Sequence, residues 1–249
     1  DSEAWQNKFY PGSQNLVNPA LSFDVNTRQI SGYAQVSGEG ELLGMPFRAN
    51  GGLQVVNTKL NVRQNIVGNP QPYGVSGVDA GDFVTKREFT DFLPSINIAY
   101  LLTPQLTVFG NYTTSFGPVQ NIQLNSQTAS NPLNPEVAKT TELGARWQDG
   151  ALRAEVTVFK MRFDNQIQQV PGITPPTFQN IGATDHKGVE SALEYRFAED
   201  SALAGLELYA NYTWTKAIQQ SGDNRGLDVP FYSRDTDSIG ARYAIAAWT

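Results

Sequence analysis

The chain has 249 residues, no cysteine and one histidine, and its 24 acidic and 18 basic side chains leave a formal net charge of −6. The charges are scattered, so there is no basic stripe for nucleic acid, no disulfide framework is available, and no run of about 18 apolar residues is present to cross a membrane as a helix. The amino terminus, DSEAWQNKFYPGSQN, lacks the basic-then-apolar pattern of a secretory signal, which fits either a removed leader or a start inside a longer chain.

Residues 1 to about 27 hold Pro11, Gly12, Asn15, Asn18 and Pro19 without a sustained period, which predicts an irregular loop. A first strand is expected at about Arg28 to Ser37, with Tyr33 and Gln35 on one face and Ala34 and Val36 on the other; its polarity does not say which face is which. Beyond a turn at Gly38 to Pro46 the pattern clears. Phe47, Ala49, Gly51, Leu53 and Val55 alternate with Arg48, Asn50, Gly52 and Gln54, an apolar face against a polar one. Gly68, Pro70, Pro72, Gly74, Gly77 and Gly81 mark about Asn61 to Arg87 as a large loop.

The strand Phe89 to Leu101 sets Phe92, Pro94, Ile96, Ile98 and Tyr100 against Ser95, Asn97 and Ala99. Pro94 has no amide hydrogen to give a neighbouring strand, which places it beside a bulge or at a membrane boundary. A tight turn at Leu102 to Gln105 leads into Leu106, Val108, Gly110 and Tyr112, opposed by Thr107, Phe109, Asn111, Thr113 and Ser115, and a second long loop covers about Gly117 to Pro135.

The stretch from Asn134 to Gln168 carries the plainest hairpin. Lys139, Thr141, Leu143, Ala145 and Trp147 share one face, and Thr140, Glu142, Gly144 and Arg146 the other. Gln148-Asp149-Gly150 is the expected turn, because Asp-Gly readily adopts the positive φ that a hairpin requires. Leu152, Ala154, Val156 and Val158 continue the apolar face, while Arg153, Glu155 and Thr157 continue the polar one. A loop from about Asp164 to Asp185 precedes a strand from His186 to Phe197, with Val189, Ser191, Leu193 and Tyr195 against Gly188, Glu190, Glu194 and Arg196. The linker Ala198 to Gly205 leads to Leu206, Leu208, Ala210, Tyr212 and Trp214. A loop at about Lys216 to Tyr232 then precedes a last strand in which Ile239, Ala241 and Tyr243 share a face.

Connections alternate between short ones near residues 42, 103, 149 and 201 and long ones near residues 75, 126, 175 and 224. The strands exceed the roughly 5–6 residues common in soluble proteins and reach the roughly 9–11 that cross a bilayer at a tilt. Tyr100, Trp147, Tyr195, Phe197 and Tyr243 collect beside short turns, and Tyr112, Phe116, Phe163 and Trp214 towards long loops, where two interfacial girdles would sit. A mean hydropathy of −0.36 does not oppose this, because only every second residue of a barrel strand meets lipid. The expected fold is all-β: an antiparallel transmembrane β-barrel segment of about nine strands, part of a larger barrel. A soluble β-sandwich shares the alternation but not the strand length.

The runs FLPSINIAYLLTPQLTVFGNYTTSFGPVQ, LNPEVAKTTELGARWQDGALRAEVTVF, HKGVESALEYRF, LYANYTW and DVPFYS together resemble the barrel of a TonB-dependent outer-membrane receptor. Within that class the chain is most similar to ferric citrate receptors, through SFGPVQ, the PEVAKTTELGARW and DGAL hairpin, FDNQ and GLDVPFYS; the likeness covers about Asn26 to Thr249. It implies a bacterial outer-membrane barrel of about 22 strands occluded by a plug. Such a receptor imports a ferric chelate with energy drawn from the TonB system. Residues 1–249 then form a partial barrel domain, with the plug and the carboxyl-terminal strands outside it. A passive porin or another non-transporting surface β-barrel is the alternative.

No catalytic constellation is present, no cofactor is implied, and the chain is not expected to be an enzyme. His186, the single histidine, reads as a polar rim residue. Glu142, Arg146, Arg153, Glu155, Glu190, Glu194 and Arg196 have the residue types of acid–base chemistry, but their spacing fits opposite charges paired across neighbouring strands of a lumen wall. Glu190 is the one most expected to have a basic partner. Ligand contacts belong on the long loops, where an anionic chelate is met by arginine forks and amide donors. The resemblance draws attention to the loop after FDNQ, hence Gln168 and Gln169; chemistry alone adds Gln120, Asn121, Arg63 and Arg225. No arginine precedes Arg28, whereas the resemblance implies citrate-gripping arginines upstream, so a siderophore or another chelate is equally compatible.

Overall fold

The computed structural model describes residues 8, 23–67, 79–120, 133–173 and 177–244. Its elements are all strands: β1 (Phe23–Leu42), β2 (Met45–Val67), β3 (Asp79–Leu101), β4 (Leu106–Gly117), β5 (Glu136–Asp149), β6 (Leu152–Asp164), β7 (Ile167–Gln169), β8 (Phe178–Asn180), β9 (Thr184–Arg196), β10 (Leu206–Gln219) and β11 (Asp235–Tyr243). Nine of them form one sheet in the order β1-β2-β3-β4-β5-β6-β9-β10-β11, and β7 pairs with β8 in a separate two-stranded sheet. By its internal contacts the chain divides into two units, Asp1–Gln29 with Thr58–Phe89, and Ile30–Asn57 with Thr90–Thr249.

In the first unit the strands run well past the expected bounds. Asn61 to Arg87 was expected to be loop, yet β2 continues to Val67 and β3 already begins at Asp79. Polar residues disguised a strand here, because its buried face mixes Thr58, Leu60, Val62 and Gln64 while Lys59, Asn61 and Arg63 point out. Lys59 pairs with Glu88 at 3.4 Å, Arg63 pairs with Asp82, and Gln29 Nε2 donates to Thr58 Oγ1 at 3.1 Å.

In the second unit the expected hairpins form with small shifts. The first strand does not end at Ser37 but runs to Leu42, so the expected turn over Gly38 to Pro46 shrinks to Leu43 and Gly44, both with positive φ. Glu39 reaches Arg48 at 3.8 Å, which settles the polarity of β1: Glu39 and its alternate neighbours share the polar face of β2. The β3–β4 register starts at Ser95↔Thr113, the residue after Pro94, as the missing amide hydrogen dictates. At the central hairpin the last pair is Asp149↔Leu152. The turn pair is therefore Gly150 and Ala151, one residue later than expected, with the positive φ carried by Gly150 at 41°. Strand β10 extends to Gln219, into what was expected to be loop, and the loop between β6 and β9 contains β7 and β8.

The registers sort side chains into two faces. Leu143, Val158, Val189 and Trp214 lie in one cross-strand row, and Trp147, Ala154, Leu193, Ala210 and Ile239 in another. This face stays open: Leu143 is 64% exposed, Val158 49% and Ile239 86%. A contiguous exposed apolar face of this extent is what a strand wall offers to lipid. Its rows run over residues 143–149, 152–158, 189–195 and 208–214, the apolar centre of strands long enough to cross a bilayer at a tilt. Phe163, expected in the outer girdle, is on the other face, where its ring meets His186 edge-on at 5.1 Å.

The polar face is held by rings over glycines. Phe109 is opposite Gly144, Phe159 opposite Gly188 and Tyr209 opposite Gly240, and in each pair the aromatic ring occupies the space a Cβ would need. An aromatic laid over a cross-strand glycine shields its exposed backbone and pins the register.

Candidate ligand-binding loops

The packed core of the second unit is not in the strand wall but at the end carrying the long loops. Leu133, Ala217 and Thr184 are fully buried there, with Val119, Val229 and Gln219 nearly so. Asn180, on β8, is the central clamp. Its Oδ1 accepts from Asn134 N at 2.8 Å, and its Nδ2 donates to the carbonyls of Asn134 at 3.0 Å and Asn165 at 2.6 Å. Glu136 Oε1 accepts from Ile167 N at 2.5 Å. Burial pushes the Glu136 carboxyl above its ordinary range, and the Ile167 amide works in the opposite direction.

The loop between β6 and β9 is tied to the loop after β10. Ser221 Oγ accepts from Ala183 N at 2.7 Å, and Gln220 N donates to Ala183 O at 2.8 Å. Thr184 Oγ1 donates to Gln166 Oε1 at 2.6 Å. The loop after β10 folds back on its own strand, with Gly226 N donating to Gln219 O and Val229 N to Ala217 O. Three connections thus converge on one end: residues 133–136, 165–183 and 217–229.

The expected site residues divide accordingly. Gln168 and Gln169 are on β7, opposite Gln179 and Phe178 respectively, with Gln169 exposed. Arg225 is exposed in the turn after Gly222, in the loop joined to theirs through Ser221. Gln120 is exposed just beyond β4. Arg63 was expected in a loop but lies on β2 in the other unit, where it is engaged with Asp82. Asn121 lies outside the described residues. Asn180, Glu136 and Ser221, which build the loop platform, were not singled out from sequence; the cue was Gly182, two residues past the end of β8, with a φ of 87°.

His186 is half-buried at the loop end of β9, with Nε2 3.1 Å from Thr184 Oγ1. Burial lowers its pKa, and the neighbouring Asp185 carboxylate opposes that shift.

The inward charges form a wall. Arg146 meets Glu155 at 2.7 Å, Arg153 meets Glu194 at 3.7 Å, and Glu207 takes Arg196 at 2.9 Å and Arg242 at 2.8 Å. All four are directly opposite pairs in the strand registers. Glu142 accepts from Asn111 Nδ2 at 2.6 Å. Glu190 departs from expectation. It faces Thr157 and Thr213 and has no ion pair among the described residues; being exposed, its carboxylate needs none.

Residues 2–249 match the family model described as TonB dependent receptor-like, beta-barrel. A ferric-pyoverdine 358 receptor of Pseudomonas putida is 26% identical over 91% of this chain and 26% of its own length. The probable TonB-dependent siderophore receptor PiuA of Acinetobacter baumannii is 23% identical over 77% of this chain and 25% of its own. The chain therefore spans about a quarter of the curated relatives it matches. Among solved structures, the ferric yersiniabactin uptake receptor FyuA of Yersinia pestis shares the fold with a TM-score of 0.66 at 18% identity, over 90% of this chain and 32% of that one. The unliganded ferric citrate transporter FecA aligns with a TM-score of 0.58 at 21% identity, over 90% and 40%. With apolar-out strands, a paired charge wall and convergent loops in place, the chain belongs to the TonB-dependent receptor β-barrel family.

Proposed function

We propose that this chain is part of the barrel wall and ligand-facing loops of a bacterial outer-membrane receptor that imports a ferric chelate, energised through TonB by way of a plug domain. The observation that carries this is the joining of the loops at one end, with Gln168, Gln169 and Arg225 on a platform braced by Asn180 and Ser221. Amide side chains and an arginine on a braced platform are suited to an anionic chelate: the guanidinium forks onto carboxylates or hydroxamates and the amides add neutral hydrogen bonds. Gln120, Asn121 and Arg63 are further candidate contacts. The ferric-pyoverdine and siderophore relatives and the ferric citrate fold neighbour support the chelate class, without naming which member is carried.

The test uses the full-length receptor. Binding titrations with ferric dicitrate, a ferric hydroxamate, a ferric catecholate and ferric pyoverdine should show one chelate bound at micromolar or tighter, and uptake of radioactive iron should require TonB. Uptake unaffected by loss of TonB, or a steady open conductance from the purified protein in planar bilayers, would favour a passive pore and overturn the reading.

A further inference from the structure

On the apolar face, one cross-strand step beyond the row of Leu143, Val158, Val189 and Trp214, the pattern changes abruptly. Lys160 lies directly opposite Lys187, and Lys187 directly opposite Lys216, so three ammonium groups stand side by side on adjacent strands. Like charges placed opposite one another destabilise a sheet, and nothing in strand propensity asks for them.

The next step along the same face holds Lys139, Arg162 and Asp185, with Asp164 beyond. Asp164 takes Lys139 at 2.8 Å and Arg162 at 3.3 Å, and Asp185 takes Arg162 at 3.4 Å and Lys160 at 3.9 Å. Both carboxylates are thus engaged at the Lys139 flank. Lys187 and Lys216 carry no ion pair among the described residues. Asp235, opposite Trp214 on this face, accepts from the Tyr212 hydroxyl at 2.7 Å, and with it counted against the five cations the patch keeps a surplus of two positive charges. These side chains remain accessible, Lys160 at 66%.

Position decides what the surplus meets. The row borders the lipid-facing apolar band immediately beyond Trp214, on the side of the long loops, where a lysine stem lies along apolar surface and its ammonium reaches the headgroup layer. With strands about 4.8 Å apart, the three lysines span roughly 10 Å. A soluble anion has no reason to prefer the edge of an apolar face, whereas a lipid with its chains on that face presents phosphate at that level.

We propose that Lys160, Lys187 and Lys216, flanked by Lys139 and Arg162, form a binding site for the phosphate groups of an anionic lipid headgroup in the outer leaflet. This rests on the reading of the wall as membrane-embedded.

The full-length receptor, delipidated in detergent, is titrated with bisphosphorylated lipid A and bound lipid is read by native mass spectrometry. Lys160→Gln/Lys187→Gln/Lys216→Gln should bind at least tenfold more weakly, and Lys→Arg at the same three positions should bind like wild type. Millimolar inorganic phosphate should not displace the lipid, and lipid A lacking one phosphate should bind more weakly. The single variant Lys187→Gln, read beside the triple variant as a check on folding, should lose several-fold. Wild-type affinity in the glutamine variant, equal loss in the arginine variant, or displacement by phosphate alone overturns the site. Failure of the membrane reading is separate: the wild-type protein would then be absent from the outer-membrane fraction and show no heat-dependent shift in gel mobility.

Discussion

Phe159 lies directly across from Gly188, its ring 2.7 Å from where a glycine Cβ would be, with the Trp214 carbonyl oxygen closing the other side. The close approach needs a residue without a side chain, and the ring repays the glycine by covering its backbone.

Gly188→Ala should therefore destabilise the wall by about 1–3 kcal/mol, the cost of overpacking a fitted site, because the Trp214 backbone cannot step aside. Gly110→Ala is the control. Its added methyl would meet Glu142 O at 3.5 Å, an ordinary contact, and should be tolerated. The temperature at which the folded gel band of the full-length receptor is lost measures both.

Asn180→Ala removes three hydrogen bonds that fasten residues 134 and 165 to β8. At roughly 0.5–1.5 kcal/mol net each, the loop platform should loosen by about 2 kcal/mol locally. Limited proteolysis should then cut within 165–183 several-fold faster while strand-wall melting stays unchanged. Equal cutting rates would show that the platform does not depend on this clamp.

His186 makes stability pH-dependent. Its folded pKa lies below the ordinary imidazole value because of burial, so between the two pKa values the unfolded chain holds more protons than the folded one. Its contribution is complete above pH of about 6.5 and is lost as pH falls through the folded pKa. The difference in melting temperature between wild type and His186→Asn should shift against wild type as pH is lowered from 7.5 to 5. A difference that stays flat over that range counts against the assignment.

If the braced loops bind the chelate, Arg225→Ala and Gln168→Ala should each weaken it, the arginine more, by about 1.5–3 kcal/mol for a lost charge-assisted hydrogen bond. Arg63→Ala, with its guanidinium already engaged by Asp82, should change affinity less. Isothermal titration of the chelate identified in the binding panel checks the order, and an Arg63 effect larger than that of Arg225 would move the site to the β2–β3 strands.

Where alternation was strict, sequence and structure agree closely: the β5–β6 hairpin is one residue from its expected turn, and Leu143, Val158 and Leu193 share the open apolar face. The two diverge where the face code of a strand changes. Beyond Thr58 the buried face of β2 mixes polar and apolar residues, so Asn61 to Val67 looked like loop although it keeps a buried alternate row, Val62 and Gln64. Phe163 was placed by residue type rather than parity and so landed on the wrong face.

By itself the sequence determined the class, an antiparallel strand wall with short and long connections, because alternation with period two and turn residues are local properties of the chain. It also carried the family likeness. Only the tertiary structure decided which distant groups meet: Asn180 with Asn134, Ser221 with Ala183, Phe159 over Gly188, and Lys160, Lys187 and Lys216 in one row. Those contacts follow from interstrand register, which is set by the sum of cross-strand pairs and turn lengths, and no single segment contains it.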